Sequence, residues 1–150
     1  MRHRISAGVL ALRDDRILLV RHFRPGRHDF WSGPGGGVEG SEELHQAAER
    51  EALEETGISV RAHTLAYIDE LIDNTGRAVK FWFVADYLSG EIDTGNNPAK
   101  NESIVEAGWF SRHALPQGHV FPEILRKGFW ADLERGLASP IKLPLRQSIF

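Results

Sequence analysis

Three glutamates within five residues of one another, Glu51, Glu54 and Glu55, are the side chains of this sequence best suited to chemistry. On a helix with about 100° per residue, their carboxylates project within an arc of roughly 100°. Like charges at i and i+4 repel by roughly 0.2–0.5 kcal/mol. A hard divalent cation such as Mg²⁺, which takes oxygen ligands, would neutralise such a cluster. The spacing therefore predicts a metal site, and the alternative is a solvated acidic helix face.

The position of the apolar residues on the same helix favours the metal site. Relative to Glu51, Leu44 and Ala48 lie at roughly 20° and 60°, so the acids border the apolar stripe instead of lying opposite to it. A helix is predicted over residues 42–56, with Ser41 as N-cap and Gly57 just beyond its end.

Composition excludes several classes of protein. The chain has 150 residues, 41% of them hydrophobic and 26% charged, with a net charge of −3 and no cysteine. Length and composition predict one soluble domain over residues 1–150. The lack of cysteine excludes disulfides, cysteine-ligated metals and thiol nucleophiles. A sequence pI near 6.2 argues against binding to duplex nucleic acid. With neither a long apolar run nor a secretory signal pattern, the expected location is the cytoplasm, away from membranes.

The remaining pattern predicts a layered α/β or α+β domain. Strands are predicted over residues 5–12 and 17–23, which form a hairpin, and over 60–72, 78–88 and 104–110. Residues 24–40 are expected to form one long glycine-rich loop, and 122–137 a second helix whose apolar stripe is Leu125, Phe129, Leu133 and Leu137. The strand over 78–88 places Val79, Phe81, Phe83 and Tyr87 on one face, expected to be core. The tail over 139–150 is expected to be extended, either covering its own domain or clasping a second subunit in a homodimer.

The region around the glutamates resembles the Nudix box. That pattern reads Gly-x5-Glu-x7-Arg-Glu-aliphatic-x-Glu-Glu-x-Gly-aliphatic. Here it is filled by Gly36, Glu42, Arg50-Glu51-Ala52-Leu53-Glu54-Glu55-Thr56-Gly57-Ile58, with Ala52 a small residue in an aliphatic position. The order of the surrounding elements is also similar to the Nudix α/β/α sandwich, in which a mixed sheet lies between helices.

The resemblance implies an activity and a set of roles. Nudix enzymes, including MutT-like members, use Mg²⁺ or Mn²⁺ to hydrolyse a nucleoside diphosphate linked to another group. By position in the motif, metal ligands would be Glu51, Glu54, Glu55 and the carbonyl of Gly35. Glu51 is the first choice for general base. The roles implied for Gly36, Glu42, Arg50 and Gly57 are those of scaffold.

Further site residues are expected outside the box. Glu102 is the candidate for an additional catalytic acid, and Glu106 is the second choice. Because a guanidinium can donate two parallel hydrogen bonds to phosphate oxygens, Arg21, Arg24 and Arg27 are candidates for substrate binding. Trp82 either stacks on a base or lies in the core.

The substrate stays open at this point. A nucleoside triphosphate, ADP-ribose, a nucleotide sugar and a dinucleoside polyphosphate are all candidates. No Ser-Gln-Pro-Trp-Pro-Phe signature of the NADH-hydrolysing branch follows the box, which disfavours that branch. The Gly35-x-Gly37-x-x-Gly40 match to a dinucleotide fingerprint is rejected because acidic residues surround the place of the pyrophosphate. The alternative from another class is a Nudix-fold sensor that binds a nucleotide without cleaving it.

Overall fold

The computed structural model of the protein describes residues 1–95, 97 and 103–148. Its helices are α1 (Leu44–Thr56) and α2 (Phe129–Arg135), with a 3₁₀ turn at Glu123–Leu125. The strands are β1 (Arg2–Arg13), β2 (Arg16–Arg24), β3 (His28–Ser32), β4 (Gly35–Gly37), β5 (Ser59–Ile72), β6 (Gly76–Ser89), β7 (Ile104–Ser111), β8 (His119–Phe121), β9 (Ile141–Lys142) and β10 (Arg146–Gln147).

All these strands belong to one mixed, curled sheet. Its main path runs β10-β5-β6-β1-β2-β3-β8, with β1 parallel to β6 and the β1–β2 hairpin antiparallel. The hairpin strands pair directly only next to their turn, at Leu12 with Ile17 and Arg13 with Arg16. Beyond that point β4 pairs with β1, while β3 and β7 pair with β2. The two halves of the sheet therefore diverge, and a cavity lies where they separate.

Helices cover both faces of the sheet. On one face, the alanines of α1 pack with Val9 and Leu18; on the other, Phe129 of α2 packs with Leu10 and Tyr67. Alternate residues of β1 thus serve two separate cores, as the period of a strand requires. The predicted α+β sandwich with a mixed sheet between helices is confirmed.

The five predicted strands are present, but three predictions about the elements are wrong. The stretch 24–40 is not one loop, because β3 and β4 form within it. The second helix is shorter than 122–137, since Gly128, at φ 123°, separates the 3₁₀ turn from α2. The N-cap of α1 is Glu43 instead of Ser41, and Glu43 and Gln46 complete a capping box.

The aromatic residues of β6 are also distributed differently from the prediction. Phe81 and Phe83 are only half-buried, whereas Trp82 is 1% exposed and lies in the core on the α2 side. Its ring fits there because Gly8 and Gly33 lack side chains, and a Cβ at either position would come within 2.7 Å of the indole. β6 is an internal strand, and both of its faces are covered. The number of aromatic residues on a face therefore does not tell which face is more buried: the face with Trp82 is more buried than the face with Phe81 and Phe83.

The tail folds back on its own domain. β9 and β10 run parallel to the edge strand β5, and the backbone N–H groups of Leu143 and Ser148 donate to carbonyl groups of β5. Of the two expected placements, the one that covers the chain's own sheet is present; a homodimer stays a prediction. Neither helix formed by the described residues has the length and apolarity to cross a bilayer.

Candidate active site

Helix α1 places its acids at one end of a buried face. Ala47, Ala48 and Ala52 are fully buried against the sheet, and Glu51 and Glu55 continue the same face at 5% and 1% exposure. The helix ends at Gly57, whose φ of 75° is the left-handed conformation that favours glycine, and whose N–H donates to the carbonyl of Leu53. The prediction that the acids border the apolar stripe is therefore confirmed, with Glu51 and Glu55 on the buried face and Glu54 half-buried beside it.

Arg50 connects the carboxylates into one network. Its guanidinium donates to both oxygens of Glu42, at 2.7 and 3.1 Å, and to the carbonyl of Gly37 at 3.0 Å. It also reaches Glu51 at 3.0 Å and Glu54 at 3.2 Å. Hydrogen bonds from Arg50 lower the pKa of Glu42, and the same contacts raise the pKa of Arg50. This geometry agrees with the scaffold role implied for Glu42 and Arg50.

Strand β4 lies against this end of the helix, and its glycines allow the close approach. The N–H of Gly35 donates to Oε1 of Glu55 at 3.0 Å. A Cβ on Gly36 would lie 2.6 Å from the carboxylate carbon of Glu51, closer than real Cβ contacts. The box glycine is therefore required here by the packing of α1 against a strand.

The carboxylate oxygens of the box are of the chemical type that binds a divalent cation, but they do not converge on one point. Among the described residues, no three His, Asp or Glu side chains form a group that could hold a metal ion. Arg50 engages Glu51 and Glu54, and the backbone of β4 engages Glu55, so the oxygens are drawn in different directions. The box nevertheless has four carboxylates, three of which share one arginine, two of the four are almost fully buried, and their oxygens are the ligands that Mg²⁺ prefers. The assignment of Glu51, Glu54, Glu55 and Gly35 as ligands stays a prediction.

A cavity of about 450 Å³ opens beside this junction, within the size range of small-molecule sites. At one end it reaches Gly35, Gly36 and Glu55. Most of the remaining charge on its walls is positive, from the cationic side chains Arg2, Arg4, Arg24, Arg77, Lys80 and Arg146. A polyanion would therefore be attracted to every part of the cavity except the acidic end.

Lys80 stands between the acidic end and the aromatic wall. Its ammonium group lies 4.2 Å from the centre of the Trp82 ring, a cation–π contact. Burial lowers the pKa of Lys80, while the nearby Glu55 carboxylate acts in the opposite direction. Because Lys80 already covers one ring face and Trp82 is buried, Trp82 forms a wall of the cavity and not an exposed stacking platform.

Two histidines line the same cavity on neighbouring strands. The ring of His22 stacks on Phe30, with centroids 4.7 Å apart, and His28 lies close to the same phenyl ring. Burial, with smaller contributions from Lys80 and His28, lowers the pKa of His22 to about 4. His22 is therefore neutral at pH 7 and adds shape and hydrogen-bonding capacity instead of charge.

Of the three arginines proposed to bind phosphate, the cavity contains one. Arg24 lines it, whereas Arg21 and Arg27 do not. Arg21 instead donates to Asp29 at 2.9 Å and to Glu106 at 3.2 Å on the outside of the sheet. The same contact directs Glu106, the second choice for an extra acid, away from the site. Glu102 lies outside the described residues.

Most of the cationic wall was not predicted from the sequence. The missed residues are Arg2, Arg4, His22, His28, Arg77, Lys80 and Arg146. A signal was present, because cavity-lining residues recur at every second position along several strands, as in Arg2, Arg4 and Ser6 of β1. Alternation of polar residues on a predicted strand could have identified them.

The acid-bearing helix α1 thus packs on the glycine strand β4 beside a cavity with mostly cationic walls. The model of the NUDIX domain matches residues 2–127. The chain therefore belongs to the Nudix family, and the prediction of a Nudix hydrolase is confirmed.

Relatives and solved structures agree with this assignment. The chain is 36% identical over 105 residues to the NAD-capped RNA hydrolase NudC of Edwardsiella ictaluri, covering 70% of this chain and 38% of that protein. It is also 36% identical over 110 residues to the protein of the same name from Pseudomonas aeruginosa, covering 72% and 36%. The chain thus spans little more than a third of the curated relatives it matches. The crystal structure of a MutT Nudix hydrolase from Burkholderia pseudomallei is similar with a TM-score of 0.69 and 30% identity, covering 84% of this chain and 95% of that one.

Proposed function

We propose that this protein hydrolyses the pyrophosphate bond of a nucleoside diphosphate linked to another group, with Mg²⁺ or Mn²⁺ as cofactor. The observation that carries this proposal is the juxtaposition of opposite charges around one cavity. The buried Glu55 of α1 lines the cavity, the buried Glu51 packs on the lining residue Gly36, and cationic side chains line most of the other walls. A substrate with a diphosphate group has anionic oxygens for both, provided that a cation neutralises the acidic end.

The residues proposed to hold the cation are Glu51, Glu54, Glu55 and the carbonyl of Gly35. When bound, the divalent ion would neutralise charge on the phosphoryl oxygens and lower the pKa of a water molecule. Arg50 positions Glu51 and Glu54, to which it donates hydrogen bonds at 3.0 and 3.2 Å.

Side chains of the protein are proposed to accept a proton, bind phosphate and exclude water. Glu51 is the first candidate to accept the proton of the attacking water, since it is held by Arg50 and packed on Gly36. Arg24 and Lys80 are proposed to bind phosphate oxygens, and the walls formed by Trp82 and Phe30 to exclude water. Glu102 is retained as a candidate for a further acid.

The identity of the group beyond the diphosphate is not carried over from the relatives. The curated relatives are named NAD-capped RNA hydrolases, but this chain lacks the Ser-Gln-Pro-Trp-Pro-Phe signature after its box. NAD-type substrates therefore belong in a test panel beside nucleoside triphosphates, ADP-ribose, nucleotide sugars and dinucleoside polyphosphates.

The test is hydrolysis of that panel in Mg²⁺, followed by release of phosphate with an added phosphatase. Glu54→Gln and Glu51→Gln should lower kcat/KM by about 100-fold or more while circular dichroism stays unchanged. The matched control is Glu49→Gln on the same helix. In the described part of the chain its carboxylate accepts from the N–H of Ala62, outside the cavity, a bond that a glutamine oxygen can keep. Tight binding without turnover of any substrate would instead indicate a nucleotide sensor and overturn the proposal.

A further inference from the structure

The C-terminal tail brings a charged side chain to the cavity from outside the part of the chain that the family model covers. That model ends at residue 127, whereas Arg146 and Ser148, which lie on and next to β10, line the cavity. The tail is attached to the edge of β5 by backbone hydrogen bonds of 2.9 Å from Leu143 and 2.8 Å from Ser148. Its position next to the site is therefore fixed by the sheet.

Arg146 joins the two ends of the curled sheet. Its guanidinium donates to Oδ2 of Asp69 on β5 at 3.2 Å and lies 4.6 Å from the ring centre of Phe121 on β8. Since β10 and β8 are the two ends of the main strand path, this one side chain links the two ends of the path beside the cavity.

The partner of Arg146 is a carboxylate buried in the sheet. Asp69 is 1% exposed, and its neighbour across the β5–β6 ladder is Lys80. A buried carboxylate is costly without a charged partner, so the ion pair holds Arg146 in one orientation. A guanidinium has five N–H donors, and in the described part of the chain Asp69 is the side chain that accepts from it. Donors are left for a ligand in the cavity, and the side chain as a whole is 24% exposed.

The number of cations on the walls exceeds what the cleaved diphosphate requires. Six Lys and Arg side chains line the cavity, against the lining acids Glu55 and Asp73; two of the six, Arg77 and Arg146, also pair with Glu70 and Asp69 outside the lining. In the proposed function the diphosphate lies at the acidic end with the metal, so the remaining cations face a different part of the substrate. Phosphate is the group that a planar, pre-oriented guanidinium binds best.

We propose that Arg146 is a specificity-determining residue that binds a phosphate group of the substrate other than the diphosphate being cleaved. Asp69 and Phe121 are its positioning residues, and the tail thereby selects substrates with an additional phosphate. The inference rests on the proposed function of the same cavity and names the substrate class more closely.

The experiment compares Arg146→Gln and Arg146→Lys with Lys142→Gln. Lys142 lies on the same tail, but it pairs with Glu70 at 2.6 Å and does not line the cavity. Steady-state kinetics in Mg²⁺ and 0.15 M salt use substrate pairs that differ by one phosphate: NADP⁺ with NAD⁺, and a nucleoside triphosphate with its diphosphate. For the phosphate-rich member, Arg146→Gln should raise KM about 10-fold or more and change kcat by less than about 3-fold. Arg146→Lys should lie in between, and Lys142→Gln should match the wild type.

A purely structural role for Arg146 would give a different pattern. It would lower the melting temperature and raise KM equally for both members of a pair, and either that result or an unchanged KM would overturn the inference. Asp69→Asn, which keeps an acceptor but removes the charge, should reproduce part of the KM effect.

Direct binding separates this inference from the proposed function. Calorimetric titration with inorganic tripolyphosphate should show weaker binding to Arg146→Gln than to Lys142→Gln, whether or not the wild type turns over any substrate. Equal binding by the two variants, or none by the wild type, would count against Arg146 as a phosphate-binding residue. Loss of turnover alone would count only against the hydrolase.

Discussion

The acidic and the cationic parts of the cavity are built in opposite ways. The acidic junction uses residues 35–55, so α1 and β4 are neighbours in the chain as well as in space. The cationic wall collects side chains from β1, β2, β6 and β10, with Arg2 and Arg146 near opposite ends of the sequence. The first depends on helix periodicity and a short connection, the second on the pairing of distant strands. A local motif can therefore be intact while the wall that selects the substrate differs.

The two parts also differ in how their charges are balanced. At the junction, one arginine serves Glu42, Glu51 and Glu54, and carboxylate is in excess. On the wall, Arg146 and Arg77 each have a carboxylate partner, and cation is in excess around the cavity. Binding of a divalent ion would reduce the negative charge of the first region only, so the metal and the polyanion should enhance each other's binding.

The largest expected effect comes from removing the arginine of the junction. Arg50→Gln deletes hydrogen bonds to three carboxylates and to the carbonyl of Gly37, and leaves partly buried negative charge without its partner. We expect the free energy of unfolding, measured in urea without metal, to fall by about 3 kcal/mol. Arg50→Lys should recover part of this loss, because lysine keeps the positive charge but lacks the planar guanidinium that donates to several acceptors at once.

A control for this experiment is Arg112→Gln, which removes an exposed ion pair with Glu134. Exposed pairs contribute little, so its unfolding midpoint should match that of the wild type. If Arg50→Gln behaves like this control, the network does not stabilise the junction. The ion pairs of the acidic junction would then contribute as little to stability as exposed ion pairs do.

The next effect tests the contact between α1 and β4. Gly36→Ala would place a Cβ 2.6 Å from the Glu51 carboxylate carbon, so the carboxylate must move. We expect kcat/KM to fall by about 100-fold, the cost of displacing a catalytic group by about 1 Å. Gly37→Ala is the matched control, because its Cβ would meet only the end of Arg4 at 3.6 Å, and its activity should stay within about 3-fold of the wild type. Equal activity of the two variants would show that close packing at Gly36 is not required.

The contrast between local and distant contacts explains what could be predicted from the sequence. The existence of α1, its C-terminal end at Gly57, its buried acids and the close packing at Gly36 follow from periodicity, capping and one sharp motif, all within one segment, whereas its N-cap was predicted two residues too early. The strands of the hairpin and of β5, β6 and β7 follow from apolar β-favouring runs.

What could not be predicted depends on pairing between segments far apart in the chain. β3 was missed because residues 28–32 become a strand only by pairing with β2 and β8. Arg21 was assigned to the site and His22 was not, although the two are adjacent. Alternation along β2 puts Arg21 and His22 on opposite faces, but which face lines the cavity depends on the pairing of β2 with β3 and β7.

A smaller effect, on the cationic side, comes from pH. The pKa of His22 is lowered to about 4 in the folded protein, against an ordinary value near 6.5 in the unfolded chain. Between these values the unfolded chain binds more protons, so this group destabilises the fold as the pH falls below 6.5. From pH 7 to pH 5 it should remove about 2 kcal/mol of unfolding free energy, which His22→Gln would abolish. The measurement is urea unfolding at both pH values, with exposed His113→Gln as control; an unchanged acid sensitivity in His22→Gln would contradict the buried, neutral histidine.

The smallest expected effect concerns the arginine that the sequence placed in the site and the structure places outside it. Arg21 is held by Asp29 and Glu106 on the exposed side of β2, where solvent screens the ion pairs. Arg21→Gln should therefore leave both kcat/KM and the urea midpoint at wild-type values, in contrast to Arg146→Gln. A rise in KM for Arg21→Gln would mean that the substrate extends beyond the cavity over the outer face of β2 and β7. In that case the cationic surface relevant to binding would be larger than the cavity wall, and the division of the site into one local and one distant part would have to include a third region.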